Sequence, residues 1–220
     1  MTTTLDAKYK LNKPVTGVVL YKSEGINPQT GYYSFTNAAG VTADYTSGLK
    51  PTDKTEFLDL APKYYGGVQN SFRYKRLSFD FTVNYTKRVG LNMLAQQGFP
   101  FGYMGINGGT FWLNRWQKTG DITNVPRVST SFANWGRHSI YKESTGAYSD
   151  ASYARLQNVS IRYAVNPQWL GRLHVKDLSV YLQGQNLLTF SDYNGLDPEN
   201  LDAGTIPPMR IFTAGINLTF

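Results

Sequence analysis

The 220-residue chain contains no cysteine, which excludes a disulfide framework and any thiolate metal site. Histidine is almost missing as well. Its two copies, His138 and His174, are far apart and have no H-x-x-x-H or carboxylate spacing around them, so no metal centre is expected. No apolar run approaches the ~20 residues that a spanning helix needs. The opening residues, Met1 to Asp6, have neither the basic start nor the apolar stretch of an export signal. Gly105, Gly108 and Gly109 lie among aromatics rather than between a strand and a helix, so they form no phosphate-binding loop. The formal net charge is +7. Lysine and arginine are scattered along the chain, however, and no RNP-like, zinc-finger or helix-turn-helix pattern accompanies them. The charge reads as solvated loops and turns. The chain is therefore expected to have no nucleic-acid partner, no cofactor and no catalytic constellation.

Aromatic residues, by contrast, are plentiful. They make up 15% of the chain, with 16 tyrosines, a bias toward strands and interfacial girdles rather than a helical bundle. In the last twelve residues Phe212, Ala214, Ile216, Leu218 and Phe220 share one side of a strand, and Thr213, Gly215, Asn217 and Thr219 the other. An apolar face backed by small polar residues suits the closing strand of a transmembrane β-barrel. An edge strand of a soluble β-sandwich alternates in the same way.

Further strands follow the same rule. Leu77, Phe79, Phe81, Val83 and Tyr85 alternate with Ser78, Asp80, Thr82, Asn84 and Thr86. A run from about Gly67 to Tyr74 precedes it, and with only Lys75-Arg76 between them the pair predicts a tight hairpin. Val159, Ile161, Tyr163 and Val165 form another apolar face, as do Leu178, Val180 and Leu182 in a strand continuing to Phe190. Val15 to Tyr21 is a weaker candidate. That makes about six strands, most near the ~9–11 residues that cross a bilayer when tilted. Arg73, Asp80 and Arg162 all fall on polar faces, where a water-filled lumen tolerates them and lipid does not. The connections separate by length. The Lys75-Arg76 turn and the link 166–177 fall at one end of the strands, and the long segments 23–65, 87–153 and 191–208 at the other. An outer-membrane barrel has short periplasmic turns and long external loops, and a soluble β domain has no physical reason for such a bias.

Three segments carry a resemblance: ARLQNVSIRYAVNPQWL (154–170), LSVYLQGQNLLTFSDYNGLDPE (178–199) and RIFTAGINLTF (210–220). They resemble the last strands of the SusC/RagA family of TonB-dependent outer-membrane transporters. KPVTGVVLYKSEGINPQTGYY (13–33), APKYYGGVQNSFRYKRLSFDF (61–81) and the LNRW and VPR stretches (113–127) are also similar to that family. The resemblance implies an all-β, antiparallel transmembrane barrel segment with long extracellular loops, belonging to a much longer receptor. Large plugged transporters have 22 strands, whereas six strands left open in lipid would expose two edges of unsatisfied backbone groups. A chain of this length is thus expected to be the carboxyl-terminal part of such a receptor, with the export signal and plug domain lying outside it.

The resemblance also implies the surroundings. These are outer-membrane lipid, a SusD-like surface lipoprotein, a TonB complex reached through the amino-terminal part, and a glycan or peptide substrate. The alternative from another class is a soluble all-β carbohydrate-binding domain. The candidate contact residues for a substrate or partner are Phe99, Phe101, Tyr103, Phe111, Trp112 and Trp116, flat rings interleaved with glycines, Asn107, Asn114 and Arg115. The plainer account is that these rings pack a long loop onto itself. Asp197 and Glu199 read first as part of an Asp-Pro turn, being too few for a calcium site. Trp169 and Leu170 read as an interfacial anchor. By the same resemblance, Phe212, Ile216, Leu218 and Phe220 would form the signal that outer-membrane assembly reads.

Overall fold

The computed structural model describes residues 10–171 and 175–220. In chain order its elements begin with β1 (Gly17–Ile26), β2 (Tyr33–Thr36), β3 (Thr42–Ala43), β4 (Lys54–Asp59), β5 (Tyr64–Tyr74) and β6 (Leu77–Lys87). Next come β7 (Val89–Leu91), α1 (Met93–Gln96), α2 (Ala133–Lys142), β8 (Tyr148–Asp150) and β9 (Tyr153–Ala164). The last are α3 (Pro167–Leu170), β10 (Asp177–Phe190) and β11 (Ile211–Thr219). They gather into two compact units. One holds residues 10–61, 89–150 and 201–203, and the other 62–88, 151–200 and 204–220.

The second unit is one sheet in the order β11-β10-β9-β6-β5, antiparallel at every pairing. Register turns the sequence alternation into rows across the sheet. Phe72, Phe79, Ile161, Leu182 and Ala214 form one row, and Tyr74, Leu77, Tyr163, Val180 and Ile216 the next. The opposite face carries Arg73, Ser78 and Arg162 in one row and Ser71, Asp80 and Ser160 in another. Lys75, at φ 52°, turns β5 into β6. The Arg76 guanidinium donates to the Val165 carbonyl and to Asn166 Oδ1, each at 2.9 Å, tying this turn to the one after β9.

The strand count differs from the expected six. The Val15–Tyr21 candidate belongs to β1, which joins no strand of this sheet and pairs instead with β2 and β4. Five strands therefore form the long sheet among the described residues. Seven residues with a repeat of two cannot say which sheet they enter, because pairing is decided by segments remote in sequence.

A bulge decides which way β9 faces at its start. Between Thr82 and Val83 of β6, the partner on β9 skips from Asn158 to Leu156, leaving Gln157 as an extra residue. One inserted residue reverses the side-chain parity of everything beyond it. Leu156 and Ala154 thereby join Val159, Ile161 and Tyr163 on the apolar face. Arg155, which unbroken alternation would have put on that face, turns to the polar one.

The first unit is a four-stranded sheet, β3-β2-β1-β4, with a separate β7-β8 pair. The long connections on either side of the β5–β6 hairpin are thus not bare loops. They have a core of their own in Tyr21, Tyr33, Phe35, Ala95, Tyr141 and Ala147. Tyr33 and Tyr141 stack with ring centroids 4.1 Å apart. Burial, then the neighbouring Tyr141, holds the Tyr33 hydroxyl well above its ordinary pKa, and burial pushes Tyr141 up to about 12. Asn92 links the elements: its side-chain oxygen caps α1 at Ala95 N, 3.0 Å away, and its amide donates to the Gly146 carbonyl at 2.7 Å.

Candidate functional site

The six aromatics of the 99–116 segment divide into two groups. Phe101 is only 1% exposed. It meets Phe111 edge-on at 6.2 Å and lies 4.8 Å from Trp112 between ring centres. Trp116 is also buried, and its indole N–H donates to the Pro28 carbonyl at 2.9 Å. Its ring lies where a side chain on Gly31 would stand, 2.5 Å from an ideal Cβ, and Gly31 has φ +72°. Only glycine meets both conditions. Phe101, Phe111, Trp112 and Trp116 therefore hold the segment together.

Phe99 and Tyr103 are turned the other way. They stack at 5.0 Å, and Trp135 of α2 meets both edge-on, at 5.8 and 5.3 Å. Beside this trio opens a cleft of about 400 Å³ lined by Pro100, Gly102, Tyr103, Met104, Ser129, Thr130, Ser131, Phe132 and Trp135. Asn134 fixes its floor, donating to the carbonyls of Phe101 at 2.7 Å and Ser129 at 3.3 Å. The lining is aromatic and hydroxylic and carries no charge, which suits an uncharged polar ligand or an apolar side chain. Trp135 and Phe132 were not among the expected residues. They stand on or just before a helix remote in sequence, and only an aromatic surplus outside the 99–116 window hints at them.

His138 is structural. It is buried, with Nε2 2.9 Å from the Gln97 carbonyl oxygen. Burial lowers its pKa, opposed by that carbonyl and reinforced by nearby Lys142. His174 lies outside the described residues. No group of three potential metal ligands occurs among the described residues.

In the second unit Asp197 makes the expected turn, accepting the N–H of Glu199 at 2.9 Å and of Asn200 at 3.1 Å. It does more than that. Arg155 Nη2 donates to Asp197 Oδ2 at 2.5 Å, Nη1 to Glu199 Oε2 at 2.6 Å, and Nε to Thr189 Oγ1 at 3.1 Å. Arg155 and Asp197 are almost wholly buried, and Glu199 is half exposed. This pairing was not legible, because unbroken alternation gives Arg155 the wrong face.

The two faces of the long sheet differ chemically. Ser71, Arg73, Ser78, Asp80, Ser160 and Arg162 border a polar cleft of about 390 Å³. On the other face Val68, Phe72, Tyr74, Leu77, Ile161, Tyr163, Val180, Leu182, Leu188, Phe212, Ile216 and Leu218 are all exposed. Phe220 beyond β11 is 74% exposed. Soluble monomers rarely expose contiguous apolar patches beyond a few hundred Å², and twelve large side chains in register exceed that. Of the expected anchor pair, Trp169 is 67% exposed while Leu170 is buried. No described helix is long and apolar enough to cross a membrane.

A sheet with one continuous open apolar face, one charged face and strands of 9 to 14 residues defines a piece of transmembrane β-barrel wall. No family model matches the chain. Among proteins of assigned function, TonB-dependent receptor P3 of Formosa agariphila is 30% identical over 192 residues, covering 80% of this chain and 18% of that receptor. TonB-dependent receptor P26 of the same organism is 28% identical over 194 residues, again 18% of its length. In fold, the RagAB peptide transporter matches 91% of this chain and 22% of its own chain, with 26% identity and a TM-score of 0.70. The RagAB peptide importer in its open-open state gives 25% identity and a TM-score of 0.67. The chain belongs to the SusC/RagA-type TonB-dependent receptors and corresponds to a carboxyl-terminal part of one. It spans about a fifth of the length of the relatives it matches.

Proposed function

We propose that the chain is wall and external-loop structure of an outer-membrane importer, with the plug domain and export signal in the rest of the receptor. This receptor takes up oligosaccharides or peptides in a Gram-negative bacterium, energised through TonB and working with a SusD-like surface lipoprotein. It performs no catalysis. The observation that carries the reading is the uncovered apolar face of five register-matched strands, which water would disfavour and lipid accepts. Kinship with TonB-dependent receptors supports uptake, and RagAB is a peptide importer, one of the two substrate classes. The neutral cleft beside Phe99, Tyr103 and Trp135 is the contact for substrate or lipoprotein. A soluble carbohydrate-binding domain would have to hide the same apolar face, and no described element covers it.

Orientation is testable. In the full-length receptor on intact cells, Met104→Cys should react with a membrane-impermeant thiol reagent, and Gln168→Cys should react only after the outer membrane is opened. Labelling of Gln168→Cys but not Met104→Cys on intact cells would overturn the reading.

A further inference from the structure

The first unit holds two guanidiniums that share one aromatic ring. The guanidinium carbon of Arg137, on α2, lies 3.8 Å from the ring centre of Tyr32, and that of Arg127 lies 5.2 Å from the same point. Arg127 also stands 5.3 Å from the ring centre of Trp116. The backbone holds the tyrosine in place. The Asn27 N–H donates to the Tyr32 carbonyl at 2.8 Å, and the Arg127 N–H to the Gly31 carbonyl at 2.9 Å. The indole bond from Trp116 to Pro28 fastens the same turn.

Arg137 is 8% exposed, and its Nε is buried without a partner. The side chains of Arg127 and Arg137 make no hydrogen bond and no ion pair among the described residues. Arg155, buried to a similar degree, has two carboxylates and a hydroxyl around it. Nothing comparable is within reach of Arg137 along the chain. Asp121 is the one carboxylate from Leu113 to Lys142, and it already accepts the N–H groups of Gln117 and Lys118, each at 2.9 Å. Stacking on an aromatic face recovers only part of what burial costs a cation, and two like charges on one ring add repulsion. Such a pair is complementary to an anion whose oxygens take the unpaired N–H donors.

We propose that Arg127 and Arg137 form a binding site for a carboxylate of the transported substrate. Guanidinium forks fit oxyanions through paired N–H groups, and carboxylate is the oxyanion that oligosaccharides and peptides both carry. Because Arg137 is recessed, the site admits a group projecting from a small molecule and excludes a broad protein surface. The proposal rests on the importer reading and makes the substrate acidic, the acid being a uronic acid of a glycan or a side chain of a peptide.

The test is titration calorimetry on the full-length receptor in detergent. The probes are trigalacturonate with its uncharged methyl ester, and triglutamate with triglutamine. The wild type should bind one acidic probe about tenfold or more tightly than its uncharged counterpart, the worth of one charge-assisted hydrogen bond. Which acidic probe does so identifies the source of the carboxylate. Arg137→Gln should abolish the preference, and Arg137→Lys, which keeps the charge without the fork, should keep part of it. Arg127→Gln should lower it several-fold. Heat-modifiable gel mobility reports whether each variant assembles, and Arg127→Gln, at a half-buried position, carries the test if Arg137→Gln does not assemble. No preference in the wild type, or an unchanged preference in the glutamine variants, overturns the proposal and leaves the importer reading in place. The reversed labelling of Met104→Cys and Gln168→Cys on intact cells overturns the importer reading itself.

Discussion

Burying a guanidinium is costly unless it is paired and hydrogen-bonded, and removing one partner of a buried pair costs about 3–5 kcal/mol. Arg155 meets the condition with Asp197, Glu199 and Thr189, and so fastens the segment after β10 to the polar face. In the full-length receptor, Asp197→Asn should leave Arg155 without its buried counter-charge, with only the half-exposed Glu199 to offset it, and make the 191–208 segment markedly more sensitive to limited proteolysis. Glu199→Gln should matter much less, because a half-exposed pair contributes only about 0–1 kcal/mol. Equal protease sensitivity of the two variants would refute this ranking. His138 is another buried group whose charge matters. Burial lowers its folded pKa below the unfolded value of about 6.5. The unfolded chain therefore binds the proton first, and stability falls as pH drops from the unfolded value toward the folded one. Above that window the neutral imidazole contributes fully. Hydrogen exchange of α2 should accelerate on acidification through the window, and His138→Gln should flatten that dependence. An unchanged pH dependence in His138→Gln would assign it to other groups.

At the scale of elements, alternation was enough to read β6, β10, β11 and the hairpin turn. β6 and β11 are unbroken where they were read, and β10 is unbroken as far as Gln185, after which its register with β9 shifts; within those stretches a period of two translates directly into faces. The sequence did not announce three things: the bulge at Gln157, the assignment of β1 to another sheet, and the joining of Trp135 to Phe99 and Tyr103. Each depends on contacts between segments remote in sequence, which periodicity cannot report. The site followed the same line. The aromatic richness of 99–116 was visible, but which rings turn inward depends on Gly31, Pro28 and α2. For β11 the alternation makes a sharper statement. Phe220 is exposed beyond the last strand, continuing the face of Phe212, Ile216 and Leu218, and Asn217 lies on the opposite side. If assembly reads that apolar end, deleting Phe220 in the full-length receptor should sharply lower the heat-modifiable, assembled fraction, whereas Asn217→Ala should leave it nearly unchanged. Equal assembly of the two variants would reduce the strand's pattern to packing alone.

The whole molecule poses one question, namely which face of the long sheet meets hydrocarbon. Neighbouring residues on β9 answer it with the same substitution. Ile161 lies in the open apolar row with Phe79 and Leu182, and Ser160 borders the polar cleft beside Asp80 and Arg162. A strand reverses faces between them, so chain position, strand and depth are almost identical while the environment is opposite. An arginine toward lipid near the midplane costs about 2–4 kcal/mol, falling toward zero at the interfaces, and a water-filled lumen imposes no such penalty. Ile161→Arg should therefore lower the assembled fraction of the full-length receptor strongly, as read by heat-modifiable mobility of its outer-membrane fraction. Ser160→Arg should assemble close to wild type, with any defect confined to transport, because the new charge would stand in the lumen beside Arg162. The reverse pattern would mean that the charged face meets lipid, which the desolvation of Arg73, Asp80 and Arg162 opposes. Equal, mild effects would mean that neither face does, and the sheet would then have to be covered on its apolar side by another part of the receptor.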